Sequence, residues 1–415
     1  MSERRGIAAT LRRGRWLVGC GAVVLAVTAC GGSSSPSSSS TSSSSTPLHI
    51  LLVTNVTGAG SQNGTSNVAG VKEAINEVNQ AGGVLGRQLV LDVKDDGSDN
   101  TKDLPLIQSA TASYKYPLVM NSDPAAASTA PYIARQSLLE ICGCAAEKYA
   151  EPSAPNPTIF DTDYVGARPM DAAAQYAQSK GYTRVAVMVQ QGEFGDADLQ
   201  ALKPLISSTG GTITDSESLS FTGVDFTSAI ARSRASHPQA LLTDIFGAGD
   251  AHLRTEIHDS GWNIPIISGS NDAATALKGL VPLADLKGQV VVGPRSMAYP
   301  SEPAAQTFID NLQKAGVNVT SYLYGYGGDH DGVTLFAWAA NQTHSLDATT
   351  IANKLHSSGD VAVPGLVEGT TTGYSATSGE WNAASGLALM EAGYYNLGRL
   401  KLIKSVSAPT LPAGM

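Results

Sequence analysis

Residues 61–100 read SQNGTSNVAGVKEAINEVNQAGGVLGRQLVLDVKDDGSDN, and this stretch decides the fold. Val68, Val71, Ala74, Ile75 and Val78 recur at three- and four-residue spacing, which predicts a helix with one apolar face. Ser66 or Asn67 can cap its start by accepting a hydrogen bond from a free backbone N–H. Gly82 and Gly83 permit the left-handed turn that ends a helix. From Gln88 to Lys94 the pattern alternates, with Leu89, Leu91 and Val93 on one side, as in a half-buried strand.

The same rhythm extends outward. Leu48 to Val53 is an apolar run suited to a buried strand before the helix. Downstream, strands are expected at Pro117–Met120, Leu138–Ile141, Arg184–Val189, Gly211–Ser220 and Ala240–Ile245. Helices are expected at Asn100–Tyr114, from Ala125, at Tyr164–Lys180, Asp225–Ala235 and Ala248–Ser260. Strand–helix alternation at this spacing argues for parallel sheets. At 415 residues the chain is too long for one simple core, so two lobes are expected. The net charge of -9 provides no basic surface to neutralise phosphates, which argues against nucleic acid as a partner.

The N-terminus carries an export pattern. Arg4, Arg5, Arg12, Arg13 and Arg15 precede an apolar run from Trp16 to Ala29, too short for a typical spanning helix. Val27-Thr28-Ala29-Cys30 resembles a bacterial lipobox, which implies cleavage before Cys30 and lipid on that residue. The general secretory route fits; Arg12-Arg13 also raises twin-arginine export. Gly31 to Thr46 is nearly all serine and cannot bury apolar area to offset its chain entropy, so it reads as a flexible tether.

The wording of the opening unit is more specific than its periodicity. Gly64, Gly70, Asn79 to Gly83, Gly86, Arg87, Asp95, Asp96, Ser98 and Asp99 stand in an order that resembles the first βαβ unit of the type I periplasmic-binding fold. The resemblance is closest to the solute-binding lipoproteins of ABC importers that take branched-chain amino acids or amides, leucine/isoleucine/valine-binding proteins among them. It covers nearly all of Leu48 to Lys404. It implies an α/β fold of two Rossmann-like lobes with parallel sheets, joined by three crossings, with the ligand in the cleft. The expected boundaries are a signal peptide at 1–29 and a lipidated tether at 30–47. Lobe 1 would be 48–163 with 296–388, and lobe 2 would be 164–295 with 389–407.

The resemblance also implies a site. Thr57, Ser61 and Gln62 occupy the family's first ligand loop, although Val56 replaces its proline. Ser122 or Ser128 takes the place of a serine that bonds a ligand carboxylate. Asp123 either binds a cation or caps the helix from Ala125. Cys142-Gly143-Cys144-Ala145-Ala146 replaces a small-residue loop whose N–H groups and hydroxyl meet the ligand, so Gly143, Cys144 and Ala145 are candidates. Asp161 stands where the crossing between lobes usually has arginine. In the second lobe Phe194 replaces the tyrosine that covers the ligand. Phe246 and Asp272 lie at strand ends, where Asp272 either accepts a ligand ammonium or caps a helix. Gly288 to Gly293 would return the chain to the first lobe, Gly332 to Asn341 would be a late helix, and the last strands would begin at Tyr394.

Cys20 lies in the signal and Cys30 would be lipidated, so Cys142 and Cys144 remain in an exported compartment. They read as a strained disulfide, as two buried thiols, or as half of a metal site, for which no adjacent His or Cys speaks. Asp329-His330-Asp331 reads as a helix N-terminus with dipole-favoured acids. The chain has no G-x-S-x-G, P-loop or zinc motif, so neither an enzyme nor a cofactor is expected. The expected partners are a small amino acid-like ligand, an ABC permease and, through Cys30, the outer face of the cytoplasmic membrane. The alternatives are a sensor read by a membrane receptor, or a binder of amides, urea-like compounds or aromatic acids.

Overall fold

The opening helix, α1, spans Ser61–Gln80 and buries Val71 and Ala74 completely. It begins five residues before Ser66. Neither Ser66 nor Asn67 caps it: both are buried within it, and the Ser66 hydroxyl donates back to Gln62 O at 2.8 Å. Gly60 stands at the cap, and its N–H donates to Ser98 Oγ at 2.9 Å, a partner from beyond the next strand. At the far end Gly82 and Gly83 do take positive φ, 106° and 80°, and Gly83 N–H closes on Val78 O. These elements belong to a computed structural model that describes residues 46–122, 126–143, 157–162, 167–273, 281–376, 378–381 and 386–406.

The first sheet holds β1 (Leu48–Thr54), β2 (Leu89–Asp95), β3 (Val119–Asn121), β4 (Glu140–Cys142) and β5 (Ile159–Asp161). Its order is β2-β1-β3-β4-β5, and every pairing is parallel. Ile50 to Val53 are fully buried, as expected for a parallel strand covered on both faces. A short 3-10 turn at Asn100–Lys102 and α2 (Asp103–Ser113) connect β2 to β3, and α3 (Ala126–Arg135) lies between β3 and β4. β5 adds an edge strand where the sequence suggested only a crossing.

The second sheet is built from β6 (Arg184–Gln190), β7 (Thr212–Leu219), β8 (Ala240–Asp244), β9 (Ile266–Ser268) and β10 (Val290–Pro294). The helices α4 (Ala167–Ser179), α5 (Glu193–Ser208), α6 (Thr227–Ala235) and α7 (Gly247–Asp259) alternate with these strands. β11 (Ala298–Tyr299), β12 (Leu387–Asn396) and β13 (Arg399–Val406) extend the sheet to the order β11-β13-β12-β10-β9-β8-β6-β7. β12 runs antiparallel to β10, and β13 antiparallel to β12. Gly288 to Gly293 therefore does not leave the second lobe: β10 lies inside its sheet, and the return follows. The last strand pair begins at Leu387, seven residues before Tyr394.

Between β11 and β12 the chain forms α8 (Pro303–Lys314), α9 (Tyr324–Thr343) and α10 (Ala348–Ser358). α9 packs on α1 and on β4 through glycines. A Cβ on Gly70 of α1 would lie 1.8 Å from Tyr326 O, and one on Gly332 would lie 2.9 Å from Ile141 O. Only bare backbone allows this approach.

The two sheets share one winding. β2-β1-β3-β4-β5 and β7-β6-β8-β9-β10 each reverse direction once, between β1 and β3 and between β6 and β8. In open parallel sheets ligands bind outside the C-terminal strand ends at such a reversal. Among the described residues no helix is long and apolar enough to cross a membrane.

Candidate functional site

The β1–α1 loop at the first reversal is fastened from β2. Thr57 donates to Asp95 twice, from its N–H at 3.0 Å and its hydroxyl at 2.7 Å. The Thr57 hydroxyl holds the Asp95 carboxyl below its usual range, against a small opposing effect of burial. Ser98 donates to Thr57 O and accepts from Gly60 N–H, while Gly58, at φ 87°, presses against Gly97. Asp95 and Ser98 thus shape the loop. Thr57 is exposed with its hydroxyl committed, Ser61 begins α1, and Gln62 donates across to Thr320 O at 3.0 Å.

The ends of β3 and β4 converge on one residue. Ser122, directly after β3, donates its hydroxyl to Asp329 Oδ2, and Gly143, directly after β4, donates its N–H to Asp329 Oδ1 at 3.0 Å. Asp329 lies in the second turn of α9 and is buried. Burial pushes its carboxyl up to about 6, against the pull of Ser122 and Gly143. The resemblance offered Ser122 for a ligand carboxylate and Gly143 as a donor of the ligand loop; here both hold a carboxylate of the chain itself. Ser128 lies exposed on α3. Asp123, Cys144, Ala145 and Ala146 fall outside the described residues. Cys142 is disulfide-bonded. Among the described residues no cluster of His, Cys, Asp and Glu could hold a metal.

Asp329 is joined by its neighbours. His330 is buried between Asp331 Oδ1 at 2.9 Å and Glu77 Oε2 at 3.3 Å. Burial opposes its charge, yet the two carboxylates raise it to about 9. Asp331 accepts N–H donors from Val367 and Glu368. These three residues are therefore not the helix N-terminus, which lies five residues earlier at Tyr324. They are buried ties from α9 to β3, β4, α1 and the 365–368 loop.

At the second reversal, Gln190 Oε1 at the end of β6 accepts from Phe246 N–H, after β8, at 3.1 Å. Phe194, half-buried in the first turn of α5, stands beside the same strand end; a Cβ on its neighbour Gly195 would lie 1.8 Å from Gln190 O. Asp272 differs from its expected role. Its Oδ1 accepts from Ile245 N–H at 2.7 Å, and its Oδ2 accepts from Thr243 and, at 2.5 Å, from Arg254. Arg254 also binds Asp250 at 2.8 Å, and all three side chains are about 1 % exposed or less. Burial pushes both carboxylates up, Asp250 to about 8, and it opposes the Arg254 charge, which the two acids nevertheless raise. Asp272 thus serves an internal ion-pair network, fully buried with Arg254 and Asp250. Local sequence carries no sign of this network, because Asp250 and Arg254 of α7 meet Asp272 only when the turn after β9 packs against them.

Aromatic rings connect the two halves. Tyr322, just before α9, meets Phe246 edge-on at 6.1 Å and stacks on Tyr324 at 6.0 Å, while its hydroxyl donates to Asn63 of α1. Tyr324 in turn lies beside Gly328, next to Asp329. This continuous surface from Phe246 to Asp329 joins the two reversals, and the sequence pointed only to Phe246.

The arrangement can bind and orient a small molecule. A sequence model described as periplasmic binding protein matches residues 47–390. No curated protein matches. Among solved structures, a type 1 periplasmic binding protein from Bordetella pertussis Tohama I superposes with a TM-score of 0.76 at 15 % identity, over 87 % of this chain and 100 % of that one. A branched-chain amino acid ABC transporter protein from Thermus thermophilus, solved with valine, gives 0.74 at 16 %, over 86 % and 96 %. A solute binding protein from R. palustris, solved with 4-hydroxybenzoate, gives 0.73 at 17 %, over 87 % and 96 %. These likenesses carry the fold. The family match spans both lobes, and the chain belongs to the periplasmic binding protein family, whose members are extracytoplasmic solute-binding proteins and not enzymes.

Proposed function

We propose that this protein is a lipid-anchored solute-binding protein that captures a small organic ligand between its lobes and delivers it to an ABC-type permease. The observation that carries this reading is the pair of matched strand-order reversals, with Tyr322 touching Asn63 of α1 and Phe246 of the second lobe. A ligand between them gains contacts from both sides only in the closed arrangement, so binding shifts the population toward closure. The ligand class is amino acid-like or an amide, and the solved relatives with valine and 4-hydroxybenzoate support a ligand of that size. The lipobox-like Val27-Thr28-Ala29-Cys30 supports attachment through Cys30 to the outer face of the cytoplasmic membrane.

The test is a thermal-shift screen of the full chain in detergent against amino acids, amides and small aromatic acids. A ligand that binds only the folded state at a hundredfold excess over its Kd adds about 2.7 kcal/mol, a readily measured rise in Tm. At least one solute in the panel is expected to give such a rise. A panel with no shift would count against solute capture.

A further inference from the structure

We propose that Asp329 sets the ligand class. It fills the Ser122–Gly143 donor pair with the chain's own carboxylate, so the group a ligand presents there is an amide or amine N–H donor and not a carboxylate. The inference rests on the reading above, that the ligand sits at the strand-order reversals.

The donor count is the first reason. Ser122 has one hydroxyl hydrogen and Gly143 one N–H, and both point at Asp329. An incoming carboxylate would find neither donor free and would stand beside a like charge. The second reason is the charge itself. Burial pushes Asp329 up only to about 6, because its two donors oppose the effect, so the group is mostly ionised at neutral pH. The two groups that hold it down, the Ser122 hydroxyl and the Gly143 N–H, are neutral donors. A carboxylate offers about four acceptor positions, and these two bonds use half of them. N–H donors on a ligand complement what remains.

The surroundings agree. Gly328 leaves only ordinary contact space between Gly143 and the Tyr324 ring: a Cβ there would lie 3.6 Å from Gly143 Cα and 3.7 Å from the ring. Tyr324, Tyr322 and Phe246 then carry an apolar surface toward the second lobe. On that side the Asp272 carboxylate is already paired with the buried Arg254 guanidinium. The ligand that fits is a small amide or amine with an aromatic or branched apolar body.

Matched pairs that differ only at the polar group test this: benzamide against benzoate, and isovaleramide against isovalerate, with isoamylamine as the charged donor. Calorimetric titration of the full chain in detergent at pH 7.5 should show at least one amide or amine binding, with its carboxylate partner at least about tenfold weaker. Asp329→Ala and Asp329→Ser free both donors and should reverse the order, with carboxylate binding rising at least about tenfold. Circular dichroism checks that the variants fold; if they do not, Asp329→Asn, which removes charge and keeps shape, should still erase the discrimination against carboxylates. Wild-type protein that binds benzoate or isovalerate as tightly as the amide would overturn the proposal. So would variants whose preference equals that of wild type. If no member of these pairs binds while another solute raises Tm, solute capture stands and the role of Asp329 falls. If nothing binds in either assay, both fall.

Discussion

Arg254 stands between Asp250 and Asp272 with no appreciable solvent exposure, and it bonds Thr243 as well. Removing one partner of a buried ionic group leaves the others uncompensated, at a cost of about 3–5 kcal/mol. Arg254→Leu is therefore expected to lower the unfolding free energy by about that amount. Urea denaturation followed by circular dichroism measures it. Adding Asp250→Asn to that variant should recover part of the loss, because one stranded charge is gone. A change under about 1 kcal/mol would mean that the acids are already neutral in the folded protein and that the guanidinium is not their counter-charge. Asp272 could be read from the sequence as a polar residue at a strand end, but what it touches could not. Its partners, Thr243 and Arg254, lie 29 and 18 positions away and are brought together only when β8, α7 and the turn after β9 pack. Asp329 makes the same point more strongly, since Ser122 is 207 positions away.

Local periodicity made α1 legible and left its beginning obscure. The apolar face from Val68 to Val78 is a property of the helix alone, whereas the true start at Ser61 depends on Ser98 reaching back to Gly60. α9 was legible in its second half for the same reason. Its acids at 329–331 read as the helix N-terminus, whereas the helix begins at Tyr324 and buries them in its second turn, because close approach of backbones leaves no hydrophobic signal. Gly70 of α1 faces Tyr326 O, where a Cβ would lie at 1.8 Å. Both walls of this contact are helix backbone, which cannot yield as a flexible side chain can. Gly70→Ala should thus push α1 from α9 and destabilise the fold by about 1–3 kcal/mol or more, despite the better helix propensity of alanine. Urea midpoints for wild type and variant decide it: a more stable Gly70→Ala protein would show that helix propensity outweighs the clash.

At the scale of the whole molecule, several buried groups bind protons more tightly folded than unfolded. Burial, with Asp96 close by, pushes Asp103 up to about 7, and burial pushes Glu140 up to about 8. His330 reaches about 9 against burial, through Asp331 and Glu77. Unfolded, such carboxyls titrate near 4 and the imidazole near 6.5. For each group the native state carries more protons between the two values, so unfolding free energy falls as pH rises there. His330 contributes its stability in full below about 6.5 and loses it as pH passes through about 9. Exposed or half-exposed carboxyls such as Asp92 and Glu77 are held below their usual range despite some burial, Asp92 by His49 and Tyr116 and Glu77 by His330 and Asn311. These work the other way, but only at pH values under about 4. The protein is therefore expected to be most stable at mildly acid pH, about 4 to 6, and to weaken steadily toward pH 9. Urea midpoints taken across this range measure the slope. Asp103→Asn combined with Glu140→Gln should flatten its lower part, between about pH 4 and 8, and His330→Gln should flatten the part between about 6.5 and 9. A midpoint that rises from pH 5 to pH 9 would mean that these groups are hydrated and ordinary in the folded protein, and that α9 and α2 pack loosely against the first sheet.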